Sequence, residues 1–120
     1  MQYLLLIYAE EAVWESLSDD ERRTIYGEYS QLNNDLREQG KFVGGDELQP
    51  VATATTVRLR DGDTLVSDGP FAETKEALGG YYLIEADSLD EAIEWAARIP
   101  SARQGTIEIR PVFDHSGGAS

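Results

Sequence analysis

The stretch LGGYYLIEADSLDEAIEWAARIP, Leu78–Pro100, holds a complete strand-to-helix unit. Its apolar run predicts a strand, and Ser88 followed three residues later by Glu91 is typical of a helix start, because each side chain satisfies a free backbone amide. Pro100 closes the helix, since a proline disfavours the helical conformation of the preceding residue. We expect the inner face of this helix to consist of Leu89, Ala92, Ile93 and Ala96.

The beginning of the chain has the same order of elements. QYLLLIY, residues 2–8, predicts a strand covered on at least one face. After a short loop, Ser18 and Glu21 form a second helix-start pair. One face of this first long helix is marked by apolar residues at spacings of four, three and four, and we expect it to cover the sheet: Ile25, Tyr29, Leu32 and Leu36.

Between and after these units the sequence predicts further strands. KFVGGDEL, residues 41–48, favours a short strand whose glycines allow a bulge or a close approach of another backbone or a ligand. TATTVRLRDGDTLVSDG, residues 53–69, favours a β-hairpin that turns at Asp61 and Gly62. GTIEIRPV, residues 105–112, alternates as a last strand.

This order defines a fold class. Without the hairpin it is βαββαβ, so we predict an α+β, ferredoxin-like domain with an inserted β-hairpin over residues 1–113, and a flexible tail at 114–120. Two helices cover only one face of such a sheet, and the other face still carries apolar residues of LLLIY and YYLIE. We therefore predict a homodimer that forms through the open sheet face.

The composition restricts the partners. A net charge of -13 disfavours nucleic acid and anionic membranes, which bind cationic side chains. The chain has no cysteine, which excludes thiol chemistry and is compatible with a cytoplasmic location. No set of histidine and cysteine ligands suggests a metal, and no glycine-rich loop followed by lysine suggests a nucleotide, so we predict no cofactor.

A family resemblance enters at DGPFAETKE, Asp68–Glu76. This stretch resembles the signature of the DGPF subgroup of the YCII-related family, and the similarity extends from YLLLIY to IEIRPV. The resemblance implies a ferredoxin-like fold of the dimeric α/β-barrel type and a functional link to an extracytoplasmic-function sigma factor. Related proteins carry a proposed catalytic His on helix one, paired with an Asp. In this chain Tyr29 stands at that position and the one histidine is His115, so the pair cannot simply be carried over.

Candidate site residues follow from the same stretch. Asp68, Gly69 and Pro70 favour a rigid turn that either anchors Phe71 in the core or presents Asp68 to a cleft as an acceptor of a proton or hydrogen bond. Tyr29 is either a core residue or a catalytic phenol, which would need Asp68 or Arg110 beside it. The candidates are Asp68 and Tyr29 for catalysis, and Asp46, Glu47, Phe71, Lys75 and Arg110 for ligand binding.

Three functions stay open at this point. The first is a small-molecule-binding or regulatory accessory module, favoured because no complete catalytic set of residues is evident. The second is a cofactor-independent small-molecule enzyme of the lyase, isomerase or monooxygenase-like kind, with a pocket between helix one and the sheet. The third is a protein-interaction subunit. A buried pocket with Asp68 and Tyr29 within hydrogen-bond reach of one another would favour the enzyme, whereas a filled core with the two residues separately satisfied would favour binding or structural roles.

Overall fold

The computed structural model describes residues 1–115. Its three α-helices are α1 (Glu11–Glu15), α2 (Asp19–Glu38) and α3 (Leu89–Ala97). Its six strands are β1 (Gln2–Ala9), β2 (Phe42–Glu47), β3 (Thr55–Arg60), β4 (Asp63–Asp68), β5 (Ala77–Glu85) and β6 (Thr106–Pro111). Residues 116–120 of the predicted tail lie outside this range, and the single domain over 1–113 stays a prediction.

Four strands form the main sheet in the order β2-β5-β1-β6, and every neighbouring pair is antiparallel. Leu5, near the middle of β1, lies opposite Tyr82 of β5 on one side and Ile109 of β6 on the other. The fold is therefore α+β with antiparallel sheets and is compatible with a ferredoxin-like fold.

The core lies between one face of this sheet and the helices. Alternate residues of β1 and β5 are buried, as the pleat of a strand requires. They form one cluster with residues of α2, of α3 and of the segment after α3. Its largest fully buried side chains are Leu5, Leu32, Leu36, Ile84 and Ile99.

The start of α2 confirms the predicted capping pair. Ser18 Oγ accepts a hydrogen bond from the Glu21 amide at 3.1 Å, and Glu21 Oε1 accepts one from the Ser18 amide at 2.9 Å. At α3 Ser88 caps Glu91 in the same way, but Glu91 Oε1 accepts instead from the amide of Asp87 at 2.7 Å.

The predicted inner face of α3 is wrong at two positions. Leu89 and Ile93 are 51% and 48% exposed, whereas Trp95 is buried together with Ala92 and Ala96. The helix is rotated so that its largest apolar side chain enters the core, which removes more apolar area from water than an isoleucine would. The Trp95 Nε1–H donates to Glu91 Oε2 at 3.0 Å, which keeps its polar atom satisfied.

The opposite face of the sheet points away from α2 and α3. It carries the residues of β1 and β5 that alternate with the buried ones. We call these residues the open face: Leu4, Leu6, Tyr8, Tyr81 and Leu83. All five are partly exposed.

Strands β3 and β4 form a separate two-stranded antiparallel sheet, which we call the arm (Thr55–Asp68). Its turn is at Asp61 and Gly62, both with positive φ. At its base Thr56 Oγ1 donates to the Gly69 carbonyl at 2.7 Å. The radius of gyration is 16.7 Å, above the roughly 14 Å of a compact chain of this length, as expected of a molecule with a projecting arm.

The prediction that Phe71 anchors the core is wrong. Its side chain is 80% exposed. Phe71 follows the arm in a segment without regular structure, and with Pro70 it lines a shallow groove along Thr56, Arg58 and Leu65 of the arm. The core is already filled by residues of the main sheet and helices, so the turn carries Phe71 outside it.

No helix within residues 1–115 is both long enough and apolar enough to cross a membrane.

Candidate functional site

A cleft of about 310 Å³ lies between α2 and the β2–β5 side of the main sheet. We call it the aromatic cleft because five aromatic side chains dominate its lining. They are Trp14, Tyr26, Tyr29, Phe42 and Tyr82. The volume is at the lower end of the range for small-molecule sites, which occur between helices and sheets of this kind.

The inner end of the cleft is made by three of these rings. Tyr29 of α2 stacks on Tyr82 of β5 with 6.5 Å between ring centroids, and Phe42 of β2 meets Tyr82 edge-on at 6.3 Å. The Tyr82 O–H donates to Asn33 Oδ1, and the Arg37 guanidinium lies 4.4 Å from the centroid of Phe42. The inner end is thus apolar and aromatic, with an amide and a cation at its rim.

The mouth of the cleft depends on the short helix α1, in a region predicted to be a loop. Arg22 of α2 holds this helix in place, since its guanidinium donates to the carbonyls of Trp14 and Glu15 at 3.2 and 2.8 Å. Trp14 consequently meets Tyr26 edge-on at 5.3 Å. Trp14 thereby lines the mouth of the cleft.

One carboxylate stands at this mouth. Glu47, at the end of β2, accepts a hydrogen bond from the Tyr26 hydroxyl at 3.1 Å. Burial raises the pKa of Tyr26, and the Glu47 carboxylate raises it further, because both disfavour a second negative charge there. Tyr26 therefore stays a neutral hydrogen-bond donor at neutral pH.

A second cavity of about 410 Å³ continues the aromatic cleft outward and shares Trp14, Tyr26 and Glu47 with it. Its lining adds three more carboxylates, those of Glu10, Glu11 and Glu15. Acidic side chains around an apolar opening favour cations there.

Gly45 allows β2 to approach β5 at the floor of the cleft. A Cβ atom at this position would lie 2.9 Å from the Tyr81 carbonyl oxygen and 3.0 Å from a ring carbon of Tyr82. Any other residue would therefore displace the ring that forms the inner end of the cleft. Of the glycine pair, Gly45 thus marks a close approach of backbones, whereas a Cβ atom at Gly44 would meet nothing within 4 Å.

Burial of Tyr82 makes the stability of the folded protein depend on pH in the alkaline range. Its pKa rises from 10.0 to about 12, because burial disfavours the phenolate and Tyr29 adds to the effect. Tyrosine in the unfolded chain ionises first, so the stabilisation is complete below pH 10.0 and is lost as the pH rises towards 12. We expect the free energy of unfolding to fall by roughly 3 kcal/mol over that window from this group.

Denaturant titrations at stepped alkaline pH measure this decline. Tyr82→Phe lacks the ionisable hydroxyl and should decline less steeply above pH 10.0, although at neutral pH it loses about 1 kcal/mol with the bond to Asn33. Equal slopes for the two proteins would mean that other groups cause the alkaline loss.

The structure places two of the predicted site residues in the lining of the cleft through their side chains. Tyr29 is one, and its hydroxyl shares a hydrogen bond of 2.7 Å with Ser101 Oγ. Burial raises the pKa of Tyr29. Glu47 is the other. Asp46 borders the same cleft, but it lies opposite Tyr81 in the β2–β5 register and accepts from that hydroxyl at 2.9 Å, on the open-face side of the sheet.

The remaining predicted residues lie elsewhere. Asp68 is exposed at the last position of β4, at the base of the arm, and it is not hydrogen-bonded to Tyr29. Arg110 pairs with Glu108 at 3.0 Å on β6, and Lys75 pairs with Glu10 at 3.4 Å. Phe71 lies at the base of the arm. The proposed pairing of Tyr29 with Asp68 or Arg110 is therefore not formed.

Several cleft residues escaped the sequence analysis. Tyr26, Ser30, Asn33 and Arg37 repeat along α2 at spacings of four, three and four. This is a second helical stripe beside the apolar one, with aromatic and polar side chains in place of aliphatic ones. A search for such a mixed stripe next to the core stripe would have found the cleft wall.

No group of three or more His, Cys, Asp or Glu side chains within residues 1–115 is arranged to hold a metal ion.

Comparison with known proteins identifies the family. The model of the YCII-related domain matches residues 1–116. An uncharacterized protein of Rhizobium meliloti (strain 1021) is 40% identical over 120 residues, which is 98% of this chain and 97% of the relative. The chain belongs to the YCII-related family, as the resemblance at residues 68–76 predicted. The narrower DGPF assignment stays a prediction.

Proposed function

We propose that this protein is a small-molecule-binding module whose ligand enters the aromatic cleft. The observation that carries the proposal is a ring-lined cleft of about 310 Å³ with one carboxylate, that of Glu47, at its mouth. Aromatic walls with a few placed polar groups are typical of sites that take a compact apolar body and orient it by its polar end.

The charges of the cleft define the class of ligand. Glu47 and the carboxylates of the outer cavity make the mouth acidic, and the faces of Trp14 and Tyr26 attract cations. Arg22 already illustrates this preference, since its guanidinium lies 5.8 Å from the centroid of Trp14. The ligand we propose is a small aromatic or apolar molecule with a positively charged amine.

Three probes with the same ring test this proposal, namely benzylamine, benzyl alcohol and benzoate. Nitrogen-15 NMR titration of the whole protein reports both the affinity and the residues affected. We expect benzylamine to shift the amides around Trp14, Tyr26 and Glu47, and to bind at least about tenfold more tightly than benzoate. Equal affinity for the amine and the acid would contradict the ligand class, and shifts spread outside the cleft would contradict the site.

Matched variants locate the charge. Glu47→Gln keeps an acceptor for Tyr26 but removes the charge, so benzylamine should bind about tenfold more weakly, as expected from the loss of a charge-assisted contact. Glu38→Gln, an exposed change on α2 outside the cleft, should have no effect. Asp68→Ala should also leave binding unchanged. If Asp68→Ala were the one variant that lost binding, the ligand site would lie at the base of the arm and not in the aromatic cleft.

The hydrogen bond between Tyr29 and Ser101, in place of one to Asp68, favours this module over the enzyme. The catalytic hypothesis required Asp68 or Arg110 beside the Tyr29 phenol. Tyr29 instead shares a hydrogen bond with the neutral hydroxyl of Ser101. A raised pKa makes Tyr29 a weaker acid, which suits a hydrogen-bond donor better than a base at neutral pH.

The remaining parts of the proposal concern assembly and setting. We propose a cytoplasmic homodimer of the dimeric α/β-barrel type, with the arm as an insertion in the ferredoxin-like order. The partly exposed leucines and tyrosines of the open face support it, because an apolar sheet face needs a cover. The link to a sigma factor, and with it the protein-interaction subunit, stays a prediction from the family resemblance.

A further inference from the structure

The arm exposes apolar side chains that nothing within residues 1–115 covers. Val57 lies opposite Val66 in the β3–β4 register, and Leu59 is two residues further along the same face. These three side chains are 62%, 63% and 66% exposed. An isolated two-stranded hairpin is marginally stable in water and becomes stable when a face packs against another surface. The arm therefore requires a covering surface.

The other face of the arm carries two cations that form no ion pair within residues 1–115, although Arg60 Nη1 donates to the Leu59 carbonyl at 2.9 Å. Arg58 and Arg60 are the two basic side chains within residues 1–115 that have neither an ion pair nor an aromatic ring beneath them. All ten Lys and Arg of the chain lie in this range. In a protein with 23 acidic residues, unpaired arginines gathered on one projecting element indicate that their acidic partners come from outside the chain.

We propose that the arm of each copy packs on the body of a second copy of this chain. A second copy supplies what the arm lacks, since it presents an acidic surface of net charge -13 and exposes apolar side chains outside the open face, such as Leu48 and Leu89. The contact is reciprocal in a two-fold dimer, so two arms are exchanged. The inference rests on the proposed homodimer but adds a separate contact, which is the arm and not the open face.

Isotope-mixed crosslinking tests where the arm lies. The chain has no cysteine, so Thr64→Cys on the apolar face of the arm introduces a unique thiol for a photoreactive benzophenone maleimide. Labelled nitrogen-15 chains and unlabelled chains are mixed, exchanged, irradiated and analysed by mass spectrometry. We expect crosslinked peptides that join the two isotopes. Crosslinks found within single chains alone would overturn the proposal, and Glu38→Cys on α2 controls for random collision.

Variants of the arm test its contribution to affinity. The triple change Val57→Thr, Leu59→Thr and Val66→Thr places a β-branched residue of high strand propensity at each position while removing apolar surface. We expect it to raise the dimer Kd at least tenfold in sedimentation velocity experiments. Val43→Thr, at an exposed position of β2 outside the arm, should leave the dimer Kd unchanged.

The arginines have their own matched control. Arg58→Gln with Arg60→Gln should raise the dimer Kd severalfold, whereas Arg23→Gln, an exposed arginine that already pairs with Asp20 on α2, should not. A wild-type protein that is monomeric at all concentrations would overturn both the homodimer and the arm contact. A dimer that is indifferent to both arm variants would overturn the arm contact alone.

Discussion

Gly105→Ala should destabilise the protein by about 3 kcal/mol or more, at the upper end of the cost of overpacking. A Cβ atom at Gly105 would lie 2.2 Å from the carbonyl oxygen of Tyr8 and 3.2 Å from the Cα of Ala9. Both neighbours are backbone atoms at the end of the central strand β1, so relief requires the start of β6 to move away from the sheet. Denaturant unfolding of the wild type and the variant measures the loss.

Gly27→Ala is the matched control. Gly27 lies inside α2, and a Cβ atom there would meet nothing within 4 Å. Alanine is favoured over glycine inside a helix by about 1 kcal/mol, so this change should stabilise the protein. If the two glycine variants had the same stability, close approach would not be the reason for Gly105.

Ile99→Ala should cost about 2 to 5 kcal/mol, the usual range for a large-to-small change in a core. Ile99 is 1% exposed and belongs to the main cluster, where its removal leaves a cavity among packed neighbours. The midpoint of denaturant unfolding should fall with little change in its steepness, since the loss is local to the folded state.

Ile93→Ala removes the same atoms, but from a position on α3 that is 48% exposed. Its cost should be under about 1 kcal/mol, because little buried contact is lost and alanine is the better helix former. A large loss at Ile93 with a small one at Ile99 would mean that α3 presents the face that the sequence predicted.

The rotation of α3 illustrates what local patterns leave open. Two stripes satisfy helical spacing equally well, one that includes Leu89 and Ile93 and one that includes Trp95 and Ile99, and both share Ala92 and Ala96. The choice depends on contacts across the fold. Lys41, which follows α2, places its Nζ atom 3.3 Å from Glu91 Oε1. The same Glu91 carboxylate accepts a hydrogen bond from the Trp95 Nε1–H. A rule based on the spacing of residues within one helix cannot predict a contact such as that between Lys41 and Glu91.

Strand and helix starts were predictable because their causes are local. A capping pair such as Ser18 and Glu21 is complete within four residues, and apolar runs mark strands wherever a face is buried. The candidate site was predictable in part. Tyr29 and Glu47 lie on α2 and β2, whose positions follow from the fold. Asp68 lies on the separate β3–β4 sheet, and no local sequence pattern specifies how that sheet projects from the main one.

The register of the main sheet has a consequence for the order of folding events. Its central pair of strands, β1 and β5, joins Gln2 with Glu85 and Ile7 with Gly80. β1 therefore cannot pair with β5 until most of the chain has been synthesised. Pairings so distant in sequence slow folding, since loop closure must precede the contacts that reward it. During synthesis the apolar run of β1 is therefore exposed for longest, and it is the segment on which a chaperone would act first.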